Sequence, residues 1–238
     1  KHSRWLSNPN PALLLTPLYF YLFLYLLKLK QKHITQSKLW FMLGLIFGLL
    51  LQTELGNAIF LLPTTLFILF FRKKLFNIIA FFKFFISLIF TLLPQILFNI
   101  RHDFIMITSL KNFFNQGSDK IPLKEVLLNR PKTYLDILTY FILRNNFIFI
   151  LLLVLIIIFL IIKKFWINDL LLILASWFFI PLLMLLFYTS NKGMIWDYYI
   201  ITQPLAFLML LALFFGEIIK KYNIIGFMIV SLFLIYFI

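Results

Sequence analysis

The sequence predicts an all-α, polytopic membrane protein with about eight transmembrane helices, and interfacial amphipathic helices in one long extracytoplasmic loop. Three observations carry that expectation. Hydrophobic residues make up 63% of the 238 positions and charged residues only 13%, where soluble domains hold about 45–50% and about 25%. Mean hydropathy is +1.01. The apolar residues also fall into runs of the length needed to cross a hydrocarbon core about 30 Å thick, and Lys and Arg cluster between those runs as they do in cytoplasmic loops.

Taken in order, the runs cover residues 11–27, 39–71, 76–100, 146–162, 169–189, 199–215 and 223–238. As a single helix, 39–71 would reach about 50 Å. It is interrupted by TELGN, Thr53 to Asn57, where a charge stands beside a glycine able to turn. The run therefore predicts a tight hairpin of two short helices. Orientation agrees: with the hairpin, Lys28, Lys30, Lys32 and Lys38, then Arg72, Lys73 and Lys74, then Lys163 and Lys164, then Lys220 and Lys221 all fall on one side. Positive residues mark that side as cytoplasmic. Lys83 lies near the same end of its run, within snorkelling reach of the headgroups.

The extracytoplasmic face then receives Glu54, Asp103, Asp119, Glu125, Asp136 and Asp197, leaving Asp169 and Glu217 elsewhere. Most of that face is one segment, residues 101–145. Within it, Ser109–Phe114 and Pro131–Arg144 carry apolar residues at helical spacing, with Leu135, Leu138 and Ile142 set against Asp136 and Thr139. Such helices suit an interface. NQGSDKIP between them is a turn-forming break. No soluble domain or internal repeat divides residues 1–238, which read as one transmembrane domain.

A net charge of +14 in a soluble protein would suggest nucleic acid; here the basic residues are loop clusters, and no nucleic-acid partner is expected. The absence of Cys excludes disulfides, thiolate metal sites and thiol nucleophiles. His2 and His33 are isolated, and neither Walker, Rossmann nor zinc spacing occurs. A divalent cation held by outer-face carboxylates has no ligand spacing behind it.

Three polar groups stand out. Arg101, His102 and Asp103 close the run ILFNIRHDF; a planar guanidinium beside an imidazole at headgroup depth can hold a lipid phosphate, or the three can form an ordinary polar helix end. Glu54, flanked by Gln52 and Asn57, can face a polar cavity and accept sugar hydroxyls, or tip a solvated hairpin. Asp197, Tyr198 and Tyr199 precede another run and serve either a ligand or an interfacial aromatic belt. Gly44 and Gly48 form a GxxxG pair that marks close helix packing.

SRWLSNPNPALLLTPLYFYLFLYLLK, GLIFGLLLQTELGNAIFLLP, LLPQILFNIRHDF with KNFF after it, and GMIWDYYIITQPLAF follow one another at the spacing of a known group. The chain resembles GT-C superfamily membrane glycosyltransferases of the kind that includes the dolichyl-phosphate-mannose protein mannosyltransferases and lipid A aminoarabinose transferases. The resemblance covers most of the sequence, and its most specific pieces are SNPN, the Gln52 hairpin and NIRHDF. It implies an enzyme that takes a sugar from a polyprenyl-phosphate carrier and transfers it to a lipid, glycan or protein acceptor outside the cell membrane. Arg101 and His102 would then meet the carrier phosphate, with Asp103 orienting them. Glu54 departs from the family, whose members often have His there. The family's catalytic carboxylate belongs to an outer loop upstream of anything matched here, so no catalytic residue is assigned. The chain is expected to be the middle and C-terminal part of a longer membrane domain, inactive alone. A transporter or flippase, or a noncatalytic subunit of surface-polysaccharide assembly, remains the alternative.

Overall fold

The computed structural model describes residues 10–29, 33–73, 78–109, 121–142, 145–189, 194–195 and 197–237. The regular structure among them is entirely helical: α1 Asn10–Lys28, α2 His33–Thr53, α3 Leu55–Phe71, α4 Ile78–Arg101, α5 Leu123–Ile142, α6 Asn146–Ile162, α7 Asp169–Leu186, a 3-10 turn Asp197–Ile200, and α8 Gln203–Phe237. His2, Lys30, Lys32, Lys74, Asp119, SNPN up to its last residue, the KNFF motif and most of NQGSDKIP lie outside the described residues.

Among the described residues four helices are long and apolar enough to cross a bilayer, or up to five if α5 and α6, which meet at 95°, are counted together. The protein is a helical membrane protein. Each predicted run lies on a helix, and the boundaries have local causes. Asn145 caps α6 by accepting from the Ile148 amide at 3.2 Å, and Asn168 caps α7 by accepting from Leu170 and Leu171 at 3.0 and 3.1 Å. The break predicted in the second run is a single residue. Glu54 leaves helical geometry at φ −149°, ψ 85°, although its amide still bonds the Leu50 carbonyl at 2.8 Å and its carbonyl receives the Ala58 amide at 3.0 Å.

The last two runs merge into α8, yet Asn223 sits inside it at φ 49° and ψ −122°. A Cβ on Gly226 would overlap the Ile218 carbonyl and the Ile219 backbone. Residues eight apart in a straight helix are separated by about 12 Å, so the chain turns back on itself at Asn223. Two helices are therefore present where a single range is spanned.

Packing follows the small residues. α2 and α4 run parallel, with Gly44 against Ser87 and the Phe84 backbone and Gly48 against Thr91, leaving no room for a Cβ at either glycine. Gln52 adds a side-chain hydrogen bond to the Thr91 carbonyl. α1 lies on α2 and α7, α3 on α7, and α7 on α8. Aromatic side chains fill the seams: Phe23 meets Trp40 edge-on at 6.1 Å, Phe20 stacks on Trp177 at 4.8 Å, and Phe207 joins Phe149 to Phe178. Tyr19 and Thr65, both buried, share a 2.8 Å hydrogen bond between α1 and α3.

One end of the bundle is locked by charge. Arg72, just past α3, donates from Nε to Asp169 at 2.6 Å and from its two terminal nitrogens to the Trp166 and Ile167 carbonyls at 2.9 and 2.8 Å. Lys163 pairs with Glu217 beside it. The two acidic residues that the sequence placed away from the outer face thus meet two basic-cluster residues. Glu54 lies at the other end of α3, about 26 Å away at 1.5 Å per residue.

α5 buries Val126, Arg130, Leu138 and Thr139 and exposes Asp136. Thr139, expected on the polar side, faces inward, where its hydroxyl donates to the Leu135 carbonyl at 2.6 Å. Backbone bonding removes the cost of hiding it.

Candidate functional site

A cluster of buried polar side chains forms at the Glu54 end, where the α2–α3 break, the start of α3, the 3-10 turn and the start of α8 converge. Glu54 is only 3% exposed, as is Asn57; Thr202 is fully buried and Gln203 nearly so. The helix break brings Glu54 inward: its non-helical φ/ψ turns the chain between Thr53, half-buried, and Leu55, exposed to the surroundings. Gly56 is required there because a Cβ would strike the Tyr199 ring and crowd the Glu54 carboxyl. Asn57 follows one turn into α3.

Three of these groups are chained. The Trp177 indole donates to Thr202 Oγ1 at 3.2 Å, and the Thr202 hydroxyl donates to Asn57 Oδ1 at 3.0 Å. α7, α8 and α3 are thereby tied by one relay. Beyond it, Glu54 Oε2, Asn57 Nδ2 and Gln203 Oε1 are buried without a hydrogen-bond partner. A buried polar atom left unpaired costs about 1–3 kcal/mol, so each of these atoms calls for a partner from water or a ligand.

Tyrosines wall the cluster. Tyr198 and Tyr199 meet edge-on at 4.7 Å, and Tyr199 meets Tyr188 at 6.4 Å and 84°. Both Tyr198 and Tyr199 lie within electrostatic reach of Glu54. Burial pushes the Glu54 carboxyl above the usual carboxylate range, and the Gly56 backbone amide offsets part of that rise.

The structure thus joins Glu54, Tyr198 and Tyr199 in one site. Asp197 stays at its edge, exposed, accepting the Tyr198 amide at 2.9 Å and so shaping the turn. Arg101, His102 and Asp103 lie apart. The register of Gly44 on Ser87 and Gly48 on Thr91 puts Glu54 level with about residue 97, one helical turn below Arg101. Laterally, α4 packs chiefly on α2, whereas the cluster belongs to α3, α7 and α8.

All three residues at the α4 end are exposed, and the backbone there is a helix terminus. Asp103 and Phe104 take positive φ of 49° and 58°, and the Phe104 amide bonds the Asn99 carbonyl at 2.8 Å. His102 Nδ1 lies 2.8 Å from the Phe98 carbonyl with its ring stacked on Phe98 at 4.0 Å, and buried Asn99 accepts the Met106 amide at 3.0 Å. An Asp tolerates the left-handed conformation better than most residues.

Sequence reasoning missed Thr202, Gln203, Trp177, Tyr188 and, on α5, Arg130. Arg130 is 1% exposed and donates to the Tyr188 carbonyl at 2.6 Å; Tyr134, one turn on, donates to the Leu182 carbonyl. Among the described residues no group of three or more His, Cys, Asp or Glu is placed to hold a metal. No family model, curated protein or solved structure matches the chain, so the reading of function rests on its residues and their geometry.

Proposed function

We propose that the chain is part of a GT-C-type membrane glycosyltransferase that binds a polyprenyl-phosphate-linked sugar on the extracytoplasmic side of the cell membrane and serves its transfer to a lipid, glycan or protein acceptor. On this reading the helices form about eight spans, with the Arg72 and Lys163 end cytoplasmic, and α5, at 95° to α6, lies along the outer interface. The observation that carries the proposal is the set of unpartnered buried atoms on Glu54, Asn57 and Gln203 beside a tyrosine wall.

That set suits a sugar. Glu54 and Gln203 accept from hydroxyls, Asn57 donates to a ring or hydroxyl oxygen, and an aromatic face takes the C–H side of a pyranose. Because each group is desolvated already, a ligand lacking the matching hydroxyl leaves it unpaired, which is how buried sites discriminate strongly. Catalysis itself is not assigned to these residues.

The test is equilibrium binding of a radiolabelled polyprenyl-phosphate hexose to the protein in nanodiscs. Glu54→Gln should weaken binding at least tenfold while leaving the protein monodisperse. Equal binding of sugar-bearing lipid and plain phospholipid by the unaltered protein would sink the proposal.

A further inference from the structure

Helices α6 and α7 are joined by a short connection, residues 163–168, yet they do not close on each other. α6 packs chiefly on α5 and α8, and α7 chiefly on α3 and α8. Between them, with Phe67 of α3 as a third wall, lies an open cavity of about 320 Å³. Leu160, Ala175 and Ser176 are its buried floor, and Ile157 and Leu183 are exposed at its rim. Ser176 is the one polar side chain among the described residues that line it, and its hydroxyl already donates to the Leu172 carbonyl at 2.6 Å. Along α7 the lining runs from Ala175 to Leu183, about 12 Å, and begins about 9 Å in from Asp169 at the end locked by charge. An empty apolar space forfeits the dispersion contacts of its walls, and water finds no partner in it. In a bilayer the material that can fill such a slot is hydrocarbon.

The connection that carries Phe165, another lining residue, also carries what a headgroup requires. Lys164 is exposed, and among the described residues its ammonium has no partner. Arg72 bonds the Trp166 and Ile167 carbonyls, which holds the exposed Lys73 beside the same connection. The Lys73 ammonium lies 5.4 Å from the centre of the Phe70 ring, a contact that leaves its N–H donors available. The acids at this end are already engaged, Asp169 by Arg72 and Glu217 by Lys163. Trp166, partly exposed between them, suits headgroup depth.

We propose that the groove between α6 and α7 is a binding site for an anionic phospholipid, with one acyl chain lying against Ala175 and Leu160 and the phosphate at Lys164 and Lys73. The seated chain supplies the contacts that α6 and α7 do not make with each other, and the two lysines select the headgroup. Basic groups set between transmembrane helices hold anionic headgroups in this way. The groove opens toward the opposite end of α3 from Glu54 and stands independently of the glycosyltransferase reading.

The test uses the protein in phosphatidylcholine nanodiscs and two photoactivatable probes, phosphatidylglycerol and phosphatidylcholine, each with a diazirine midway along one acyl chain; crosslinked residues are located by peptide mass spectrometry. The phosphatidylglycerol probe should label the groove residues of α6 and α7 in preference to Ile86 and Phe90 on the exposed face of α4, and more than the phosphatidylcholine probe does. Lys164→Gln and Lys73→Gln should each lower groove labelling by phosphatidylglycerol about fivefold, the effect of one basic residue near an anionic headgroup, and spare the phosphatidylcholine probe. Ile157→Trp, at the rim, should lower labelling by both probes, and Ile89→Trp on α4 should alter neither. Groove labelling no greater than that of the α4 face, or equal for both probes and unmoved by the lysine substitutions, overturns the site. A loss in Ile89→Trp equal to that in Ile157→Trp would show a general disturbance and overturn it as well. Stronger labelling of the groove by a polyprenyl phosphate carrying the same reporter overturns the phospholipid as its occupant. None of these results bears on sugar binding at Glu54.

Discussion

Glu54 concentrates the residue-scale chemistry. Burial raises its carboxyl above the ordinary value of 4.5, so the folded protein holds that proton at pH values where an unfolded chain has released it. Stability conferred this way is full below the ordinary value and is lost as pH rises through the raised one. The thermal midpoint of the detergent-solubilised protein should therefore fall as pH climbs above the ordinary value of 4.5, and Glu54→Gln should flatten that slope. An identical slope in both proteins would show that Glu54 does not titrate in this window. The Trp177–Thr202–Asn57 relay makes a separate prediction: Thr202→Val strands both the indole N–H and the Asn57 amide and should cost about 1–3 kcal/mol, measured by the same melting assay. Glu54, Tyr198 and Tyr199 were legible because charge and paired tyrosines stand out against an apolar background. Thr202 and Gln203 were not, because at the head of an apolar run they read as a helix start. Arg130 sits between Asn129 and Pro131 in a polar stretch and reads as a solvated cation; only the packing of α5 against the end of α7 hides it.

At the scale of elements, glycine positions decide how closely helices approach. Gly44 and Gly48 bring α2 onto Ser87 and Thr91 of α4 with no space for a methyl group. Gly48→Ala should lower stability by about 1–3 kcal/mol, the usual cost of overpacking, whereas Gly216→Ala, with open space where its Cβ would stand, should be neutral or gain up to about 1 kcal/mol. Comparable losses at both positions would refute a packing role for the GxxxG pair. That pair was read correctly from spacing alone, as was the break at TELGN. Spacing could not show that α2 and α3 would take different partners, α4 for one and α7 for the other, nor that Asn57 would be drawn into a relay. Partner choice is set by tertiary contacts that a single run does not encode. The α4 terminus shows the same limit: three ionisable residues in a row drew the eye, while the structural work there falls to Asn99, which bonds around the turn.

Across the whole molecule, the two ion pairs found among the described residues sit at one end and the Glu54 cluster at the other. Arg72 clamps Asp169 and two carbonyls of the α6–α7 connection, and Arg72→Ala should cost about 1.5–3 kcal/mol, the range for hydrogen bonds to charged groups. Because the sequence contains no Cys, single cysteines at Lys73 and at Asp197 can be labelled with a membrane-impermeant maleimide in intact cells and in inverted vesicles. Labelling from opposite sides is the expected result; labelling of both from one side would exclude the topology assigned to the basic clusters. Hydrophobic runs and basic loops made the helical membrane character legible at this scale, but not the close approach of α3, α7 and α8 around Thr202, which requires the helices to be assembled. One feature of that assembly bears on how the chain fits a bilayer. Without the reversal at Asn223, Gln203–Phe237 would be a rod of about 52 Å, well over the thickness of a hydrocarbon core. With it, an arm of about 30 Å, one hydrocarbon thickness, is followed by a shorter arm doubled back on it with almost no linker between them. A bulky β-branched residue at 223, which resists positive φ, would oppose that reversal.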